Sequence, residues 1–301
     1  MAGIKGRVIL MTEVKTIAVI GLGLIGGSIL KGLKDKGFEL FGIARRKETI
    51  DQALAEKIIN EGSTSIELAC KADIIFVCTP INKTVEAINL LSSKVKPETI
   101  ITDVAGLKGN ILGFINESQY PVRFIGGHPM AGTENKGLDA SSGNLFEGAK
   151  WVLTPSKWSY QEDLTKLSFV IEKLGAKIII ADPVLHDKAV TLISHMPLFL
   201  SQSLFGTVEN YPDKDVSKLA LILASSGFRD VTRLAATNPE LSKDMLIQNK
   251  ENIVAAIKEL KKYLGELEKE LIENEENFVK TIEKIASQRN QMYSLEGKNL
   301  L

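Results

Sequence analysis

The 301-residue sequence predicts an α/β fold in which an N-terminal doubly wound, mostly parallel sheet is followed by an all-helical C-terminal domain. Three observations carry this prediction. Short, nearly continuous apolar runs alternate with amphipathic stretches through residue 181, as strands buried on both faces alternate with helices. The first run leads directly into a Gly-x-Gly-x-x-Gly turn that opens a helix, which makes the sheet Rossmann-type. After Asp182-Pro183 no further strand is legible, and apolar residues recur at helical spacing.

The strands are expected at 16–21, 39–44, 73–78, 99–104, 123–127, 150–155 and 177–181. Helical spacing runs through 184–207, 217–225, 244–271 and 276–287. The organisation expected is an N-terminal tail (1–14), a dinucleotide-binding domain (15–181) and a helical substrate and dimerisation domain (182–301). Within the last, Ile253, Ile257, Leu260, Leu264, Leu267 and Leu271 form a coiled-coil-like seam. It fits a helix packed on its own domain or one paired across a dimer. Fewer than three heptads fit, so periodicity alone favours the former.

Lys plus Arg and Asp plus Glu both number 37, so no basic field draws nucleic acid or an anionic membrane. That balance favours a small-molecule ligand. The spacing of Cys70 and Cys78 fits neither a zinc site nor a redox pair, and no metal is expected. The apolar run near the N-terminus is too short for a signal-peptide core or a span, so a cytoplasmic protein is expected, with Met11 as an alternative start.

In "VIGLGLIGGS" Gly21 permits the tight turn, Gly23 lets backbone approach a pyrophosphate, and Gly26 lets the helix pack on the strand. Leu24 and Ile25 lie between them, where first-turn N–H groups face the phosphates. At the end of the second strand an NAD site usually carries Asp or Glu for the ribose hydroxyl. Here Ala44 stands there, followed by Arg45 and Arg46, which can grip a 2′-phosphate. NADP is therefore expected over NAD. Thr79, Pro80 and Asp103 follow later strands and are expected beside the cofactor.

His128, in "GGHPMAGTENKG", is expected just after a strand, facing the same crevice. It fits a general base near the nicotinamide or a histidine tying a turn together. Gly126, Gly127 and Gly132 are expected to leave room for substrate. His186 reads as a polar helix residue, and His195 as a core residue or a group lining the cleft. Arg229 and Arg233, four apart on one expected helix face, fit a carboxylate clamp or an exposed charge pair with Asp230 between them.

With "GLGLIGGS", "CTP", "DVAGLKG", "GGHPMAGTE", "SHMP" and "ASSGFRDVTR…NPEL" in place, the chain resembles the prephenate/arogenate dehydrogenase family of tyrosine biosynthesis over about 15–290. "ASSGFRD" and "NPEL" look most like its cyanobacterial, arogenate-using branch. The resemblance implies oxidative decarboxylation of arogenate to tyrosine, or of prephenate to 4-hydroxyphenylpyruvate, with a nicotinamide cofactor and a homodimer. It implies His128 as the catalytic histidine at the ring hydroxyl and Arg233 as the ligand of the ring carboxylate. It also implies His195 and Thr133 in the same pocket. The family's serine beside the catalytic histidine is replaced by Gly106, and a tryptophan of some members by Ser242. A β-hydroxyacid dehydrogenase or imine reductase, and a non-enzymatic NADP-sensing protein, are the competing readings. Neither accounts for the His128 cluster.

Overall fold

The computed structural model describes residues 14–294 apart from Tyr120 and Glu134. Met11, and the expected tail up to residue 13, lie outside the described residues.

One eight-stranded sheet is formed by β1 (Thr16–Ile20), β2 (Glu39–Ile43), β3 (Glu61–Ser63), β4 (Ile74–Val77), β5 (Ile100–Asp103), β6 (Arg123–Pro129), β7 (Lys150–Pro155) and β8 (Lys177–Ile180). Its order is β3-β2-β1-β4-β5-β6-β7-β8, parallel throughout except for β6 against β7. The continuous apolar runs reflect burial on both faces. In β1, Ile17 and Val19 enter one core, while Ala18 and Ile20 enter the other. The first core is covered by α1 (Leu24–Leu33), α2 (Lys47–Ala55) and α5 (Gln161–Lys173); the second by α3 (Ile81–Ser92) and α4 (Gly109–Glu117). Strand order reverses between β1 and β4, which opens a crevice at the carboxyl ends of the strands.

Two features differ from expectation. The edge strand β3 reads "EGS"; it has no apolar run because only one side is paired and its residues are partly open. Strand β6 continues to Pro129, so His128 lies within the strand rather than after it. Antiparallel pairing with β7 carries the ladder on, with His128 opposite Val152 and Pro129 opposite Trp151.

From Asp182 onward all described elements are helical, but more finely broken than the spacing predicts. They are α6 (Pro183–Val190), α7 (Met196–Glu209), α8 (Lys214–Leu223), α9 (Ser226–Thr232), α10 (Pro239–Gln248), α11 (Lys250–Glu273) and α12 (Glu275–Ser294). Asp182 caps α6 by accepting from Val184 N and Leu185 N, with Pro183 at its first position. A π-turn (Thr191–His195) joins α6 to α7. Pro197 has no N–H to return to the preceding turn, and the helix widens there. The chain divides into two compact units, with the boundary in the sequence after Asn249. The second holds α11 and α12, tied by a 2.9 Å hydrogen bond from Thr281 Oγ1 to Glu270.

Candidate active site

The phosphate loop has the shape its glycines predict. Gly21 takes φ +101°, and a Cβ there would lie 2.5 Å from the Cys78 carbonyl oxygen. A Cβ on Gly26 would lie 2.0 Å from the carbonyl oxygen of Gly21, so α1 closes onto the turn only with glycine. Gly23 has nothing within 4 Å of that position. It stands before a helix whose first turn, at Leu24 and Ile25, receives no side-chain cap. An open backbone cradle at an uncapped helix N-terminus fits a pyrophosphate.

Arg45 and Arg46 are exposed after β2 and make no ion pair among the described residues. Thr79 is partly buried after β4, its hydroxyl 3.3 Å from that of Thr84, and Pro80 caps α3. Asp103 corrects the expectation. It is fully buried, and its carboxylate accepts from Gly127 N (3.1 Å), Ala105 N (2.9 Å) and the Lys108 ammonium. Its oxygens serve the protein rather than a cofactor. Lys108 also donates to Gly127 O at 2.8 Å. Burial lowers the Lys108 pKa against the opposing pull of Asp103. The pair therefore ties the end of β5 to the strand that carries His128.

His128 Nδ1 lies 2.9 Å from Nε2 of His186, the two rings edge to face at 82°. His186 Nδ1 in turn lies 2.8 Å from Asp187 Oδ1. Asp187 also accepts from Lys108 N and Gly109 N, both at 2.8 Å, and so caps α4 from α6. Burial alone would raise its pKa; the hydrogen bonds from His186, Gly109 and Lys108 outweigh that and lower it. His186, expected to be an ordinary polar helix residue, is 4% exposed and links His128 to the Asp187 carboxylate. The His128 pKa is pushed down to about 3, first by burial, then by the charges of Lys108 and His186. A neutral imidazole can accept a proton, and the nitrogen left for it is Nε2.

His195 is 1% exposed on the π-turn, and its Nδ1 accepts from Asn249 at 3.0 Å, which places its proton on Nε2. Burial lowers its pKa. Thr133 is exposed beyond β6 and accepts from Asn135 N at 3.3 Å. Arg229 pairs with Asp230 at 3.3 Å, both well exposed. Arg233 is exposed and makes no hydrogen bond or ion pair among the described residues. The two arginines do not share an α-helix: α9 ends at Thr232, and Arg233 begins a 3-10 turn to Ala236. The structure brings His128, His186, Asp187, Lys108 and His195 together and leaves both arginines outside that cluster.

The glycines around His128 also divide. A Cβ on Gly126 would meet Thr154 Oγ1 and one on Gly127 the Asp103 carbonyl, each at 2.4 Å; these two make room for the protein itself. Gly132 has open space and can make room for a ligand. Sequence reasoning missed Lys108, His186 and Asp187. The signals present were the lysine within "DVAGLKG" and an acid beside a scarce histidine one turn into α6. No three His, Cys, Asp or Glu side chains among the described residues are placed to hold a metal ion. No described helix is long and apolar enough to cross a membrane.

Residues 29–180 match the family described as "Prephenate dehydrogenase, nucleotide-binding domain", and residues 182–284 match its "dimerization domain". The chain belongs to the prephenate dehydrogenase family. It is similar to the prephenate dehydrogenase of Lactococcus lactis, with 36% identity over 84% of this chain and 70% of that one. It is also similar to the crystal structure of Synechocystis arogenate dehydrogenase (TM-score 0.85, 36% identity, 92% of this chain and 99% of that one). A prephenate dehydrogenase from A. aeolicus, solved with hydroxyphenyl propionate and NAD+, gives a TM-score of 0.83 at 30% identity, covering 92% and 98%. The likeness to 3-hydroxyisobutyrate dehydrogenase from Salmonella typhimurium (TM-score 0.57, 13% identity) is one of fold alone. In this family member, His128 falls in the nucleotide-binding match, while His186, Asp187, His195 and both arginines fall in the dimerization match.

Proposed function

We propose that the chain is a homodimeric, cytoplasmic enzyme that oxidises arogenate with loss of carbon dioxide to give tyrosine, using NADP. In this reading residues 15–181 bind the dinucleotide, and residues 182–301 bind substrate and dimerise. The observation that carries it is His128 buried on β6, in the same sheet whose first strand leads into the dinucleotide cradle, with one ring nitrogen engaged and the other left to accept. A nicotinamide dinucleotide, held by Gly21, Gly23, Leu24, Ile25 and Gly26 and by Arg45 and Arg46 at its ribose, supplies the hydride acceptor.

The protein's own work is proton transfer and positioning. His128 accepts the ring-hydroxyl proton at Nε2 as the carbinol carbon is oxidised. Arg233, with Arg229 near it in the chain, holds the ring carboxylate without over-stabilising it, because that charge disappears as the bond to carbon dioxide breaks. Electrons from that bond enter the ring and aromatise it. His195 and Thr133 line the same pocket, with Thr79 and Pro80 on the cofactor side.

The affinity of the chain to Synechocystis arogenate dehydrogenase and the missing acid at Ala44 support arogenate with NADP. Prephenate is the second reading, favoured by the name of the Lactococcus lactis relative. Steady-state assays of both substrates with both dinucleotides test the proposal. Turnover of arogenate with NADP is expected; preference for prephenate selects the second reading, and dinucleotide binding without turnover of either substrate sinks both.

A further inference from the structure

We propose that His128 and His186 act as one base: the proton arrives at Nε2 of His128, the Nδ1 proton of His128 passes to Nε2 of His186, and Asp187 holds the resulting imidazolium. This rests on the dehydrogenase reading for the source of the proton, but its geometry does not. Asp187 accepts two backbone N–H groups and therefore presents a carboxylate with lone pairs only. His186 Nδ1, 2.8 Å away, must carry a hydrogen. Across the 2.9 Å gap between His186 Nε2 and His128 Nδ1 there is room for one hydrogen. Two arrangements satisfy that gap. With His186 neutral, the hydrogen sits on His128 Nδ1 and Nε2 is bare. With His186 doubly protonated, the hydrogen comes from His186, and a neutral His128 carries its own on Nε2.

The second arrangement is what the first becomes after taking up one proton at Nε2, and the atoms balance. One N–H bond forms at His128 Nε2, one breaks at His128 Nδ1, and one forms at His186 Nε2. The positive charge ends next to a carboxylate rather than on His128. There, burial and the ammonium of Lys108, on the turn before α4, oppose it. The other charged or titratable groups facing the pair are Asp103, itself paired to Lys108, and His195 on the π-turn. His186 is thus a positioning residue that acts through His128.

The same proton can come from solvent. Acid would then block the base by leaving a proton on His128 Nε2 while the added charge rests on His186. The acid limb of the rate profile would belong to the pair rather than to His128 alone.

The variant that tests this is His186→Gln, whose amide can still accept from His128 and donate to Asp187 but cannot take a proton. Turnover is expected to fall by about tenfold or more, the acid limb to move down by about one pH unit or more, and KM and dinucleotide affinity to stay within about twofold. Unchanged turnover with an unchanged limb would overturn the relay. Should that variant fold poorly, 15N-histidine NMR of the unmodified, substrate-free protein gives a second reading, with only three histidines to assign. At neutral pH His128 should be protonated at Nδ1 and bare at Nε2, and on acidification the first ring to become doubly protonated should be His186. A proton on Nε2 of His128 at neutral pH, or His128 charging first, would overturn it. The NMR result is independent of substrate. The expected tautomers without turnover of arogenate or prephenate would therefore sink the activity and leave the relay standing.

Discussion

The space left by Gly106 looks onto His128: a Cβ there would lie 3.7 Å from Nε2 and 3.8 Å from Cε1 of the imidazole. That is ordinary contact distance, so Gly106→Ser fits and brings a hydroxyl to the accepting nitrogen. Its stability should stay within about 0.5 kcal/mol. Turnover should change by no more than about fivefold, the scale of one neutral hydrogen bond (~1 kcal/mol). Gly127→Ala should behave oppositely, because its Cβ would lie 2.4 Å from the Asp103 backbone carbonyl. Forcing those strands apart should cost about 1–3 kcal/mol. Urea midpoints of the two variants check the contrast, and equal midpoints would refute it.

His128→Asn keeps a donor toward His186 but has no nitrogen that accepts a proton at neutral pH. Turnover should fall by about 10²–10⁴-fold with dinucleotide binding unchanged. Arg233→Ala should instead raise the substrate KM with kcat little affected, since it removes a carboxylate ligand and no proton carrier. If His128→Asn keeps more than about a tenth of wild-type turnover with chemistry rate-limiting, His128 is not the base.

What could be read in the sequence was local. Val19 to Ser28 hold a strand, a turn and a helix within ten residues, and Gly26 answers a clash with Gly21 and Val19 inside that same stretch. The π-turn was not legible because apolar spacing continues through it, nor was the break at Arg233, because Arg229 and Arg233 keep helical i,i+4 spacing across it. The site's interior was hidden for a different reason. Asp187 reaches Lys108 N and Gly109 N across 79 and 78 positions of the chain, and His186 reaches His128 across 58. Nothing near either histidine in the sequence announces the other. Asp103 misled because its place at the end of a strand is shared by ligand-facing residues, while the lysine that claims it lies five residues on.

Cofactor choice tests the second strand's end. Arg45 and Arg46 are exposed and unpaired among the described residues, free to meet a phosphate. NADP should be preferred over NAD by at least about tenfold, or ~1.4 kcal/mol. Replacing both arginines with alanine should erase the preference. Equal kcat/KM for the two dinucleotides in the unmodified protein would contradict the assignment.

Assembly follows from the apolar surface of the helical elements. Ile222 is 78% exposed and Leu223 69% on α8, and Leu264, Leu271 and Ile272 are exposed on α11. Covering such side chains in a symmetric pair removes them from water. Sedimentation at micromolar concentration should give a dimer, and Ile222→Asp should shift it toward monomer. A stable wild-type monomer would count against the dimer.

Stability should fall in acid, and the histidines set the window. His128 titrates near 6.5 when unfolded but is held to about 3 in the fold, chiefly by burial and then by the charge of Lys108. Between those values the unfolded chain binds a proton that the native state refuses, so stability rises with pH and is lost as pH falls below about 6.5. His195, lowered by burial, acts in the same direction. Asp187, its pKa also lowered, adds its share only as pH drops below its unfolded value of 3.8. Urea unfolding at fixed protein concentration should therefore show a midpoint declining from pH 7.5 to pH 5, without any change in the fold at pH 7.5. His128→Asn cannot take up that proton in the unfolded chain, so its decline should be shallower, by up to roughly one proton's worth of slope. Parallel declines in the two proteins would mean that His128 is as free to titrate in the native state as in the unfolded one, and that its neutral, buried state is not maintained.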